Sequence, residues 1–122
     1  MSTLKVNTIE PLTGGTVTIN GSLTETSALR YKENIQNLED SSKLLELRPV
    51  SFDWKKDKKH DIGLIAEEVN EHIPEMVSID EDGNIEGVKY SKLTSLLIKA
   101  VQDQQQTIEQ LTTRISYLEN RL

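Results

Sequence analysis

The residues best suited to chemistry are Ser27 and Lys32, which lie five positions apart with Arg30 between them. A serine hydroxyl is a poor nucleophile until a base takes its proton. A lysine amine can be that base once it has lost its own proton, and burial or a neighbouring cation such as Arg30 promotes that loss. Ordinary surface loops also contain this pair, so the spacing alone indicates a candidate site and no more.

The two histidines and an acidic loop are weaker candidates. His60 could orient a site or polarise a carbonyl, although an exposed histidine in a hairpin is the competing interpretation. His72 precedes Pro74 at a predicted helix end and is interpreted as structural. Residues 80–84 resemble a calcium loop, but Gly83 comes too early and no glutamate closes the EF-hand frame, which predicts a hairpin turn instead. We therefore expect no metal site and no cofactor.

Composition excludes several classes of function. The chain has no cysteine, which rules out disulfides, thiolate metal sites and a cysteine nucleophile. A net charge of −6 repels phosphate, so we expect neither a nucleic-acid nor an anionic-membrane partner. No apolar run approaches the roughly 20 residues that span a bilayer. The first residues lack the apolar core of a signal peptide, which predicts synthesis in the cytosol.

The chain is too short and too polar for a large core of its own. It has 122 residues, of which 35% are hydrophobic, and its aromatic residues are one Trp, one Phe and three Tyr. Small chains bury a smaller share of their surface than large ones do. We therefore expect several copies to assemble.

Residues 1–26 are predicted to end a β-rich stem. Leu4, Val6 and Thr8 alternate with polar residues, and a second short apolar run at residues 16–19 precedes the turn pair Asn20-Gly21. Two isolated strands are marginal in water, so we expect equivalent strands of neighbouring chains to stabilise them. A flexible leader is the alternative.

Residues 27–90 are predicted to form a small mixed domain of helices and hairpins. Residues 34–47 carry apolar side chains at near-helical spacing, with a break and a new helix start at Asp40-Ser41-Ser42 and a stop at Pro49. The remaining predicted elements are a strand at 50–55, its partner at 61–66, a short helix at 67–72, and a hairpin of 76–79 with 85–90 across Asp82-Gly83.

Residues 91–122 are predicted to be one helix, capped by Ser91, that forms a coiled coil. Apolar residues alternate steps of three and four over the whole segment, and Gln104 fills the one polar position of this heptad seam. The seam has Val101, Ile108, Ile115 and Leu122 at position a, and Leu97, Gln104, Leu111 and Leu118 at position d. Side-chain preferences alone leave two or three strands open. The fold class is therefore α+β with a long C-terminal helix.

Several motifs in a fixed order resemble one known family. The pattern Ser-x-x-Arg-x-Lys-Glu-Asn-Ile begins at Ser27, and Leu-Arg-Pro-Val-Ser-Phe begins at Leu47. His-Asp-Ile-Gly-Leu-Ile-Ala-Glu-Glu-Val begins at His60, then Ile-Pro-Glu at Ile73 and Val-Lys-Tyr at Val88. Over residues 27–122 the chain is similar to the intramolecular chaperones at the C-terminus of bacteriophage tail spikes, tail fibres and neck appendages, peptidase family S74.

The resemblance implies a homotrimer that folds its own upstream stem and then cuts itself off. By position, Ser27 matches the family's cleavage-site serine, Lys32 its paired lysine, and His60 a motif residue. We favour Thr26–Ser27 as the bond that is cut, which leaves residues 1–26 on the mature fibre. Family members usually have an acidic residue after the serine, whereas this chain has Ala28.

Two functions are consistent with these expectations. The first is a chaperone with single-turnover serine endopeptidase activity on its own chain, made in the host cytoplasm and released as the stem enters the virion tail. The alternative is a structural trimerisation tip in which Ser27 and Lys32 are inert. An adhesin lacks support, because no exposed aromatic cluster is evident in the sequence.

Overall fold

The fold combines short strands with one long helix. The computed structural model describes residues 2–122. In chain order the elements are 3₁₀ turns at Leu29–Tyr31 and Ser42–Glu46, strands β1 (Val50–Asp53) and β2 (His60–Gly63), helix α1 (Ala66–His72), a 3₁₀ turn at Pro74–Met76, strands β3 (Val77–Ile79) and β4 (Ile85–Val88), and helix α2 (Tyr90–Glu119). The predicted α+β class is confirmed.

Both predicted hairpins are present, each as a two-stranded sheet. Strands β3 and β4 pair antiparallel, with Val77 opposite Val88 and an irregularity after Ser78. Their turn is fixed by the Asp80 carboxylate, which accepts hydrogen bonds from the backbone N–H groups of Asp82 and Asn84 at 2.9 Å each. Gly83 has a φ of 84°, a left-handed conformation that glycine adopts without strain. The acidic loop is therefore a turn.

The buried core is small and lies where α1 and the β3–β4 hairpin meet the first turns of α2. Its partly buried margin includes Leu44 and Leu47. The buried residues are Val69, Ile73, Met76, Val77, Leu93 and Leu96. Since apolar burial is the main stabilising contribution, a core of this size gives a single chain little stability, and assembly of several copies stays a prediction.

Packing divides the chain into two units. Residues up to Ile35 cluster with Asp53–Asp61, and Gln36–Phe52 cluster with Ile62–Leu122. The first unit holds Ser27, Lys32 and the tip of the β1–β2 hairpin, and the second holds the core and α2. In the described residues, every helix is too short or too polar to cross a membrane.

Gly63 is required by a close approach between β2 and α2. The Tyr90 hydroxyl accepts a hydrogen bond from the backbone N–H of Leu64 at 2.9 Å. A Cβ atom on Gly63 would lie 2.7 Å from that hydroxyl oxygen, closer than real side chains approach. Glycine therefore allows the tyrosine to hold the end of β2.

Gly63→Ala should lower the free energy of unfolding by about 1–3 kcal/mol, the usual cost of forcing extra volume into a packed site. Tyr90→Phe removes the clashing oxygen but leaves the Leu64 N–H without that acceptor, at a cost of about 1 kcal/mol. The double variant should therefore lose less than the sum of the two. Urea unfolding measures all three. Gly15→Ala is the control, because its Cβ would meet only Asp57 Oδ2 at 3.5 Å. Equal losses for both glycine variants would contradict this account.

The predicted helix over residues 34–47 is wrong. Asn34 has a left-handed φ of 55°, and the only regular element there is the 3₁₀ turn Ser42–Glu46. The Asp40 carboxylate accepts hydrogen bonds from the Ser42 backbone N–H at 2.7 Å and the Ser42 hydroxyl at 2.8 Å, and these bonds lower the pKa of Asp40. Such local bonds compete with the helical ladder. A new element does start at Ser42, as predicted, but no helix precedes it.

In the single chain, residues 2–26 contain no strand. The turn at Asn20-Gly21 is present, since the Gly21 N–H donates to the Ile19 carbonyl at 3.1 Å. Leu4 is 83% exposed and Leu12 is 99% exposed, so these apolar side chains are uncovered within one chain. Strand pairing with neighbouring chains stays a prediction.

The long C-terminal helix is confirmed, but its start is not. Helix α2 begins at Tyr90, so Ser91 lies in its first turn and is not the cap. The Lys89 N–H donates to the Met76 carbonyl at 2.7 Å, which carries the chain from the β3–β4 hairpin directly into the helix. The predicted seam is largely uncovered in a single chain. Its apolar residues from Leu97 to Leu118 are 53–64% exposed: Leu97, Val101, Ile108, Leu111, Ile115 and Leu118.

Candidate functional site

The structure brings Ser27 and Lys32 into contact. The Lys32 Nζ donates a hydrogen bond to the Ser27 Oγ at 2.7 Å. The 3₁₀ turn at Leu29–Tyr31 makes this reach possible, because it reverses the chain between two extended residues, Ala28 and Lys32. The turn is closed by the Lys32 backbone N–H, which donates to the Leu29 carbonyl at 3.0 Å. One short local element therefore places the amine on the hydroxyl.

Arg30 is held on the side of this loop by Tyr31. Its Nη2 donates to the Tyr31 hydroxyl at 2.9 Å, and its Cζ lies 4.6 Å from the centre of the tyrosine ring. A cation over an aromatic face is attracted by the ring quadrupole. Arg30 lies two residues before Lys32 in the sequence. In these contacts its guanidinium meets an aromatic ring and a hydroxyl, neither of which neutralises its charge. Sequence reasoning named Arg30 but did not assign it this partner.

His60 is engaged within its own hairpin. Its Nδ1 lies 2.8 Å from the Asp53 Oδ1, and both side chains are exposed. Beside this pair the Trp54 Nε1 donates to the Asp61 Oδ2 at 3.1 Å. Both contacts join the two sides of the hairpin near its tip. The structure therefore pairs His60 with Asp53 and not with Ser27 or Lys32, and a catalytic role for His60 stays a prediction.

An ion pair that sequence reasoning missed ties the segment before β1 to α1. Arg48 donates from Nε to Glu68 Oε1 at 3.0 Å and from Nη2 to Glu68 Oε2 at 2.7 Å. The hydrogen bonds raise the pKa of Arg48 and lower the pKa of Glu68. A two-point contact of this kind fixes orientation as well as distance. Glu68 lies in the first turn of α1, and a bidentate partner twenty residues away has no local sequence signal.

Elsewhere in residues 2–122, no group of three His, Asp or Glu side chains is placed to hold a metal ion. At Ser27 and Lys32 the structure places a hydroxyl and an amine at hydrogen-bond distance.

Part of the chain matches a known protein family. Residues 27–78 match the family Peptidase_S74, described as chaperone of endosialidase. The match starts at Ser27 and includes Lys32, the β1–β2 hairpin and α1, and it extends into β3. This match confirms the resemblance over residues 27–78. No curated protein matches the chain.

Proposed function

We propose that this protein is an intramolecular chaperone that assembles as a trimer, folds the fibre stem upstream of it, and then releases itself by cutting the Thr26–Ser27 bond. The observation that carries the proposal is the 2.7 Å contact from Lys32 Nζ to Ser27 Oγ at the first residue of the Peptidase_S74 match. In this role it is made in the bacterial host cytoplasm, and the stem enters a virion tail.

The proposed reaction has three steps: attack, breakage of the peptide bond and hydrolysis of the ester. The neutral Lys32 amine takes the Ser27 hydroxyl proton, and the Ser27 Oγ forms a bond to the Thr26 carbonyl carbon. The Thr26–Ser27 C–N bond then breaks, with the Lys32 ammonium returning a proton to the departing Ser27 nitrogen. Water hydrolyses the resulting ester, which leaves a carboxylate on Thr26 and restores the Ser27 hydroxyl. In the uncut chain the 3₁₀ turn places the proposed base and nucleophile at hydrogen-bond distance.

Assembly is proposed to control this reaction. In the single chain both Ser27 and Lys32 are exposed to water. An ammonium can only donate to the hydroxyl, so the proposed base has to be the neutral amine. Packing between chains would remove water from the pair and favour the neutral amine. Cutting would then follow assembly, which prevents early loss of the chaperone.

The seam of α2 supports the proposed assembly. A stripe of apolar residues exposed over several helical turns is unfavourable in water and is typical of a coiled-coil surface. Gln104 adds a polar layer that would set the register of the chains. The exposure of Ser27 and Lys32 also favours a second candidate, a non-cleaving trimerisation tip with the same seam.

The chaperone and cutting roles should be separable in a chain that carries a longer upstream stem. Ser27→Ala should give a folded trimeric stem that keeps its C-terminal region, because only the nucleophile is lost. Deletion of residues 91–122 should leave the stem aggregated or monomeric, because the seam is lost. Size-exclusion chromatography with light scattering and a denaturing gel report both results. Soluble trimers at normal yield after the deletion would contradict the chaperone role, and a Ser27→Ala chain that is still cut would contradict the cutting role alone.

A further inference from the structure

The residues just before β1 form one wall of a groove along α2. The 3₁₀ turn Ser42–Glu46 packs on this helix, and the groove between them has a volume of about 470 Å³. Its lining includes Asp40, Ser41, Leu45, Gln104, Thr107 and Ile108.

A polar clamp fixes this wall in place. Ser41 is buried, and its Oγ donates to the Asp103 Oδ2 at 2.9 Å. The other oxygen of Asp103 lies 2.9 Å from the Lys99 Nζ, one helical turn earlier. The hydrogen bonds from Lys99 and Ser41 lower the pKa of Asp103, so its carboxylate is charged and paired at neutral pH. The clamp therefore holds the 3₁₀ turn beside the helix. Within the groove, the Asp103 carboxylate is paired with Lys99 and Ser41.

Two consecutive leucines of the turn, Leu44 and Leu45, differ in their burial. Leu44 packs against the buried core. Leu45 lines the groove and is 75% exposed. An apolar side chain held over an open groove gains stability only if something covers it. Leu45 is thus the uncovered part of an otherwise fixed wall.

The groove is continuous with the coiled-coil seam. Gln104 and Ile108 are seam positions d and a, and Ala100 and Thr107 are the g positions next to them. In a parallel coiled coil, a neighbouring helix covers the seam, and its e position faces the g position of the first helix. A helix seated on the seam would therefore also cover Leu45. The occupant that matches this heptad register is the α2 helix of another copy of the chain.

We propose that Leu45 is an interface residue, through which the 3₁₀ turn of one chain contacts the α2 helix of a second copy at the Gln104–Ile108 layers. This inference rests on the proposed assembly through the α2 seam. Leu45 supplies apolar area at the layer where the seam carries the polar Gln104. It also makes correct folding of residues 41–46 a condition for tight association, so a chain with a misfolded domain would be a poor partner.

The first test compares Leu45→Glu with Ile79→Glu in the full chain carrying Ser27→Ala, so that the species stays intact. Ile79 is 61% exposed on β3 and lies outside the groove. Leu45→Glu should raise the concentration at which trimers dissociate by roughly tenfold or more, because a carboxylate would be buried at the contact. Ile79→Glu should not change it. Sedimentation equilibrium measures the dissociation, and circular dichroism at high concentration checks that the Leu45→Glu domain is folded.

The second test uses the absence of native cysteine. Leu45→Cys with Gln105→Cys, an e position, should give disulfide-linked ladders up to trimer on a non-reducing gel after mild oxidation. Leu45→Cys with Gln102→Cys, a b position directed away from the seam, should not. Wild-type-like dissociation of Leu45→Glu together with no ladder would overturn the role of Leu45 while leaving the trimer intact. A parent chain that is monomeric at all concentrations would instead overturn the proposed assembly.

Discussion

Ser27→Ala and Lys32→Ala should each leave the chain uncut at the Thr26–Ser27 bond. Without the hydroxyl there is no nucleophile, and without the amine the hydroxyl keeps its proton. Loss of a general base typically slows a reaction by about 10²–10⁴-fold. The double variant should be no slower than Ser27→Ala, since residues that act as one unit do not give additive losses. Intact-mass analysis of identically purified proteins, sampled over time, measures the cut fraction.

Matched variants separate the proposed mechanism from simpler effects. Lys32→Arg keeps the cation but holds its proton too tightly to act as a base, so it should also be inactive. Ser22→Ala and Lys55→Ala change exposed residues of the same types and should cut normally. Cutting that persists in Ser27→Ala would rule out the mechanism and indicate a contaminating protease.

The pH and concentration dependence of cutting should follow the same logic. Only the neutral amine can accept the serine proton, so the rate should rise with pH as that form becomes populated and fall in acid. Once trimers have formed, the rate should not depend on protein concentration, because each site lies within an assembled particle. Ala28→Asp restores the acidic residue usual in the family and should increase the rate if this position orients the loop.

Ile108→Asp combined with Leu111→Asp should abolish the trimer. The two residues are 55% and 54% exposed in the single chain and occupy adjacent a and d layers of the seam. Assembly would bury a ring of carboxylates at each layer, at an effective cost of several kcal/mol per charge. Sedimentation velocity should show a trimer for the parent and smaller species for the variant.

The control for this variant is Gln102→Asp with Gln106→Asp, which adds the same charge at positions b and f outside the seam. It should remain trimeric, because those positions stay in water. An unchanged trimer for the Ile108 and Leu111 variant would mean that α2 does not organise the assembly. In that case the exposed seam would need another explanation, and the inferred role of Leu45 would be lost with it.

The elements that follow a clear period were predictable. The alternation of Val50 and Phe52 identifies β1, the Asp82-Gly83 pair identifies the second hairpin, and the heptads identify α2. The segment at residues 34–47 was not predictable from its apolar spacing. Leu44 lies in a 3₁₀ turn and Leu47 is the residue after it, and both pack on the core. Earlier in the segment, Asn34 has a left-handed backbone conformation that an α-helix does not contain. Single backbone angles and local carboxylate bonds leave no trace in hydrophobic periodicity.

The residues of the candidate site could be predicted from the sequence, but the contact between them could not. The spacing of Ser27 and Lys32 is common in loops, and the family resemblance gave the pair its weight. The Leu29–Tyr31 turn that makes the contact possible was not predicted, because three residues are too few for a periodic signal. Contacts over long separations, such as Ser41 with Asp103, could not be read from the sequence at all, since neither residue type is unusual in a surface loop or helix.

Helix α2 serves two structures at once. Its first turns place Leu93 and Leu96 in the domain core, and the same continuous helix then carries the exposed seam. In the proposed assembly, association is therefore linked to folding, and the melting temperature of the domain should rise with chain concentration. Before cutting, the shared stem keeps three copies at a high effective concentration. After cutting, the released domains are no longer tethered, so their association depends on their concentration in solution. Dilution then destabilises both the trimer and the fold of each domain. Release is therefore effectively irreversible once the peptide bond is hydrolysed.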